Sequence, residues 1–217
     1  GRLRNICCGY HHTLLTTVEG ELWVTGANKS GQLGLGDTQD RCVPEHIKLP
    51  TGSQILKVAA ASSISAVLTN DSQVILWGMI VPGMEPSVPH VMNWPSLVKE
   101  EFVNIAVGGA FGISHLGLIN KAGDVFMMGD NRYGQCAKNP DKFPVLTEPE
   151  LRLQGLHVIQ IACGWMHTVA VTKQFGRLPL QQSPMGYFSQ LSDKVLYHIV
   201  SYLSGSSLVS LSQVNST

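Results

Sequence analysis

The sequence predicts a mainly β fold: a partial β-propeller of about three and a third blades, followed by a short α-helical segment. Three observations carry that prediction. A strand–turn–strand pattern recurs with a period near 51 residues. Glycine closes the strands of each copy at matching positions. The pattern stops near Gln181, where the apolar residues change to helical spacing.

The repeat is anchored on Gly-x-x-His followed by an apolar strand. Gly9-Tyr10-His11-His12 is the first copy, Gly112-Ile113-Ser114-His115 another and Gly164-Trp165-Met166-His167 a third. A degraded copy, Ser62-Ser63-Ile64-Ser65, lies between the first two, so the anchors fall at 12, 65, 115 and 167. A turn and a second strand follow each of the first three, closing at Gly26, Gly78 and Gly129. Two copies then share a loop, Asn28-Lys29-Ser30-Gly31-Gln32 and Asn131-Arg132-Tyr133-Gly134-Gln135. A period near 51 suits a four-stranded blade and exceeds that of α-solenoids. One blade cannot cover both its faces, so blades stack. Gly9, His12, Gly26, Gly31, Gln32, His115, Gly129, Gly134, Gln135, Gly164 and His167 are therefore expected to be structural positions of the repeat. Trp23 and Trp77 are expected to pack blades together.

Composition agrees. Of 217 residues, 44% are apolar and only 14% charged, which fits strands buried between neighbours. Glycine numbers 22, and it punctuates tight turns. Fifteen basic residues balance fifteen acidic ones, which weighs against a nucleic-acid partner. No apolar run reaches the length of a membrane span. The chain does not begin with Met and has no signal-like start, so it is expected to be a piece of a longer or processed protein. The second copy lacks the Gly-Gln loop; Pro82, Pro86, Pro89 and Pro95 stand there instead, and residues 79–97 are expected to form an exposed rim loop.

No cofactor or metal site is expected. The five cysteines form no C-x-x-C pair, and no carboxylate or cysteine sits at ligand spacing from His12, His115 and His167. Cys8 and Cys163 each end an apolar triplet and are expected to be buried, reduced thiols, which implies a cytoplasmic or nuclear setting. Gly31-Gln32-Leu33-Gly34-Leu35-Gly36-Asp37 lacks the Lys-Ser/Thr ending of a phosphate loop and opens no helix.

The C-terminal segment reads differently. Residues 179–187 form a polar linker. Ser192 then caps a helix in which Val195, Leu196, Ile199, Val200 and Leu203 share a face. Ser204-Gly205-Ser206-Ser207 breaks it, and Leu208, Leu211 and Val214 begin another. Two such helices bury no core alone and need a partner's groove.

Residues 2–178 resemble the regulator of chromosome condensation family. Cys8-Gly9-Tyr10-His11-His12-Thr13 and the run Gly20 to Asp37 carry the likeness, with Cys163 to Thr168 beside them. The resemblance implies a seven-bladed type of propeller. Residues 188–217 resemble the first part of an F-box, through Leu191-Ser192-Asp193, Ile199-Val200-Ser201-Tyr202-Leu203 and Leu208 to Val214; the usual proline is Ser192. That likeness implies docking on a Skp-type adaptor and its cullin complex through Leu191, Leu196, Ile199, Tyr202, Leu203, Leu208 and Leu211. The joint expectation is a non-catalytic substrate receptor of a ubiquitin ligase, its propeller binding a protein target. The alternative implied by the propeller is a guanine nucleotide exchange factor or chromatin-associated scaffold.

Overall fold

The computed structural model describes residues 1–80, 86–110, 113–136, 145–153, 157–172 and 199–201. The strands fall into four antiparallel sheets, one after another along the chain. Blade 1 is β1 (Leu3–Cys8), β2 (His12–Thr17), β3 (Leu22–Gly26) and β4 (Arg41–Ile47), paired in sequence order. Blade 2 is β5 (Ile55–Ala61), β6 (Ile64–Thr69), β7 (Val74–Gly78) and the two-residue β8 (His90–Val91). Blade 3 is β9 (Phe102–Ala110), β10 (Ile113–Asn120), β11 (Val125–Gly129) and β12 (Val145–Leu153). Blade 4 has β13 (Val158–Cys163), β14 (Thr168–Thr172) and β15 (Ile199–Ser201).

The first strands β1, β5, β9 and β13 lie against one another, so they form the inner edge of the arc. Three apolar clusters fill the three seams between sheets. Leu14, Leu22, Val24 and Leu33 of blade 1 meet Val58, Val67, Ile75 and Trp77 of blade 2. Leu68, Leu76 and Trp94 meet Phe102, Leu118 and Phe126 of blade 3. Ile119, Val125 and Met127 meet Val158, Ile161 and Ala170 of blade 4. Because β6 is covered on both faces, every one of its residues is buried, whereas β2 alternates between buried and half-buried from His12 to Leu15.

Four expectations need correction. The structure equates Ile64, not Ser65, with His12: Ile64 faces Gly78 as His12 faces Gly26 and His115 faces Gly129. Substituting Ser62-Ser63-Ile64-Ser65 for the glycine–histidine anchor hides this one-residue shift. In blade 3 the residue facing His115 is Gly108, not Gly112. The β9–β10 hairpin is longer than the others: thirteen positions separate Phe102 from His115, against nine from Leu3 to His12 and from Ile55 to Ile64. The proline-rich stretch is not only rim loop: it supplies β8, and Ile80 and Trp94 enter the second seam. Cys8 is exposed, on a strand that has one face uncovered; the buried cysteine is Cys136.

The helix expected across Ile199 is also corrected. Ile199–Ser201 is a strand, with Ile199 opposite Val171 and Ser201 opposite Val169. Two β-branched residues suit that conformation, and they satisfy an edge of β14 that would otherwise lack ladder partners. Residues 176–178 lie outside the described residues. So do Leu191, Leu196, Tyr202, Leu203, Leu208 and Leu211, and the linker 179–187.

Candidate functional site: the seams between blades

The glycines and histidines of the repeat belong to one device. The His12 ring occupies the space where a Cβ on Gly9 would sit, with its Cε1 2.1 Å from that point. His115 does the same at Gly108, at 2.6 Å, and His167 at Gly164, at 2.3 Å. Only a residue without a side chain leaves room for the ring. The closing glycines have a second reason. Gly26, at φ +110, and Gly129, at φ +103, would each bring a Cβ to 2.4 Å from a backbone carbonyl oxygen, that of His11 and of Ser114.

The ring then reaches into the next blade. His12 Nε2 lies 2.9 Å from Ser65 Oγ, and the Ser65 hydroxyl donates to the Gln32 carbonyl at 2.7 Å. That hydroxyl has one proton, so His12 is the donor to it and carries its hydrogen on Nε2. Trp77 Nε1 donates to the same Gln32 carbonyl at 2.8 Å. One carbonyl of blade 1 thus receives two donors from blade 2. Burial holds His12 neutral, lowering its pKa to about 4, against a smaller opposing effect of the Ile64 backbone. His115 is lowered to about 4 by the same desolvation, opposed in part by Asp130. His12 and His115 are buried and His167 is exposed. No described residue covers its outward side.

The Gly-Gln loops prepare that carbonyl. Asn28 Oδ1 accepts from Leu33 N at 2.9 Å, and Gln32 Oε1 accepts from Ser30 N at 2.9 Å. Asn28 Nδ2 donates to the Asp37 carbonyl. Blade 3 repeats the first two bonds: Asn131 Oδ1 accepts from Cys136 N, and Gln135 Oε1 accepts from Tyr133 N, each at 2.9 Å. Gly31, at φ +71, and Gly134, at φ +82, turn both loops. A Cβ on Gly31 would meet Ser87 Cα at 2.7 Å, so blade 2 closes over the loop. All four amide side chains are buried, which explains the requirement for internal partners.

Every predicted repeat residue therefore lies at a strand end or in a seam. Sequence reasoning did not single out Asn28 and Asn131, though their place three residues before each Gly-Gln pair was visible. Gly108 and Trp94 carried no such signal, and Ser65 was noted only as a degraded anchor. Trp77 lies in the seam as expected, but Trp23 is half-buried on the opposite face and stacks edge-on against His46. Among the described residues, no three His, Cys, Asp or Glu side chains group as a metal site, and no helix is long and apolar enough to cross a membrane. The seams fix each blade against the next.

Two sequence profiles match the chain, each described as a regulator of chromosome condensation (RCC1) repeat. One covers residues 19–68 and 122–171, the other residues 4–32. The mouse "Probable E3 ubiquitin-protein ligase HERC4" is 33% identical over 181 residues, 80% of this chain and 17% of that protein. The "Ultraviolet-B receptor UVR8" of Arabidopsis thaliana is 32% identical over 177 residues, 79% of this chain and 39% of that protein. Among solved structures, human WBSCR16 superposes with a TM-score of 0.67 at 23% identity, covering 80% of this chain and 46% of that one. Prp20p of Saccharomyces cerevisiae gives 0.66 at 19% identity, covering 78% and 43%. The chain thus spans less than half the length of each of these relatives, and the two structures share its fold.

Proposed function

On the footing that the chain carries RCC1 repeats, we propose that it is a non-catalytic substrate-recognition subunit of a Skp–cullin–F-box ubiquitin ligase. The propeller arc binds the protein target, and the segment from Leu191 to Leu211 docks the Skp-type adaptor. The observation that carries this reading is the pairing of two unlike parts. One is a set of blades locked by buried seams, whose rims are pre-organised for a partner. The other is an apolar pattern at helical spacing that needs a groove. HERC4 has ubiquitin ligase in its name, which is consistent with the reading. Catalysis is supplied by the assembled ligase, which holds the target near the charged enzyme.

Ile199–Ser201 pairs with β14 here, so docking exchanges three ladder positions for a helix on the adaptor. Capture of purified Skp adaptor by the full chain tests the proposal. The wild type retains the adaptor and Leu203→Asp loses it. Equal retention by that variant removes the proposed docking face. Stimulated nucleotide release from a small nuclear GTPase, without adaptor capture, favours the exchange-factor alternative.

A further inference from the structure

The second seam opens, on the side of the β6–β7 turn, into a cleft of about 410 Å³. That volume lies in the range of ligand sites and accommodates one long side chain. Its walls come from three places: Asp71 to Val74 at the turn, Met92 to Trp94 after β8, and Leu97 to Phe102 leading into β9. Trp94, only 9% exposed, and Phe102 give it an apolar floor continuous with the seam.

The polar groups on the walls are mostly acceptors. Asp71 takes hydrogen bonds from the hydroxyls of Thr69 and Ser53, which hold its carboxyl below the usual range and leave its charge uncompensated. Glu100 accepts from the neutral Nδ2 of Asn120 at 2.7 Å. Glu101 pairs with Lys121, on the outer lip, at 2.9 Å. Gln73 has a buried Oε1 that meets no donor among the described residues. Among the described residues, Lys99 is the one cation on the lining. Three carboxylates against Lys99 leave the walls negative, and counting Lys121 still leaves an excess of one.

We infer that this cleft receives a lysine or arginine side chain of a partner protein. The methylenes lie along Trp94 and Leu97, and the cationic head meets Asp71 and Glu100. An apolar stem under a charged head matches a wall that is apolar within and anionic at the mouth. A small anion finds too few donors there, and an uncharged apolar side chain leaves the carboxylates without an ion partner. The inference rests on reading the propeller as the target-binding part, and it names the kind of target residue engaged.

The test uses the full chain and three labelled peptides, Gly-Gly-X-Gly-Gly with X as arginine, lysine or citrulline. Saturable binding of the arginine or lysine peptide is expected, with a shift of the Trp94 indole resonance and none at Trp23. The citrulline peptide should bind more weakly, by roughly tenfold. The double variant Asp71→Asn, Glu100→Gln keeps acceptors at both sites and should show the same loss. Comparing Arg with Lys identifies which head is preferred. Equal binding of citrulline, an unmoved Trp94 resonance, or full binding by the double variant overturns the assignment. Adaptor capture is measured on the same samples. Peptide binding without adaptor capture supports the cleft and counts against the docking segment alone; adaptor capture without peptide binding does the reverse.

Discussion

The seam between blades 1 and 2 and the seam between blades 2 and 3 join the same kind of sheet by different means. The first contains a polar clamp: Ser65 and Trp77 donate to the Gln32 carbonyl and His12 donates to Ser65, inside a shell of aliphatic residues. The second has none of these parts. Ile64 stands where the first blade has His12, and the Gly-Gln loop is replaced by the proline-rich stretch. Met128 stands where blade 2 has Trp77. Apolar contact fills the space instead, with Phe102 and Phe126 stacked edge-to-face at 5.6 Å and Trp94 closing the end. A repeat can thus lose its signature residues and keep its packing, provided volume and burial are conserved. What it gives up is the specific donor–acceptor geometry that fixes one blade against the next.

The largest expected effect tests whether the clamp also carries packing. Trp77→Ala should lower unfolding free energy by about 3–5 kcal/mol, since it empties a fully buried site and strips one donor from Gln32. Phe102→Ala should cost a similar amount in the second seam, about 3–5 kcal/mol, by cavity formation alone. Urea denaturation measures both. The pair becomes informative with conservative variants. Trp77→Phe keeps most of the ring and loses the N–H, and should cost about 1–2 kcal/mol. Leucine at Phe102 loses ring area but no hydrogen bond, so its loss should follow volume only.

Acidity separates the seams further. His12 and His115 have folded pKa values lowered to about 4, from 6.5 in the unfolded chain. The unfolded chain therefore binds more protons across that interval. The stabilisation is complete above about pH 6.5 and is lost as pH falls through the window to about 4. Denaturation midpoints should drop between pH 7 and pH 5, and His12→Gln with His115→Gln should flatten the slope. A wild-type slope retained by the double variant would assign the effect to other groups. The smallest effect is at Ser65→Ala, about 1 kcal/mol, with adaptor capture unchanged.

Much of this was legible beforehand. Gly26, Gly129 and the two Gly-Gln loops announced themselves because backbone geometry admits few other residues there. Three complete blades and the start of a fourth followed from the period; the third strand of the fourth, Ile199–Ser201, did not. The errors have physical causes. Ser62 to Ser65 offered no glycine or ring to fix the register, and only the ladder opposite Gly78 does so. The longer β9–β10 hairpin escaped notice because the stretch from Gly78 to Phe102 is five positions shorter than that from Gly26 to Ile55, leaving the overall period nearly intact. Trp94 looked like loop because proline density marks chain direction, not burial. Ile199 carried a helical pattern and a β-branched pair at once, and the unpaired edge of β14 decided between them. The cleft beneath the second seam depends on residues from three segments, which no local pattern brings together.

Native-state hydrogen exchange on the double variant Ser65→Ala, Trp77→Phe tests most directly whether the Gln32 carbonyl clamps the first seam. The account predicts that protection falls in β2, β3, β6 and β7, while β10 and β11 exchange as in the wild type. Uniform loss of protection across all blades, or none in the first seam, would contradict it.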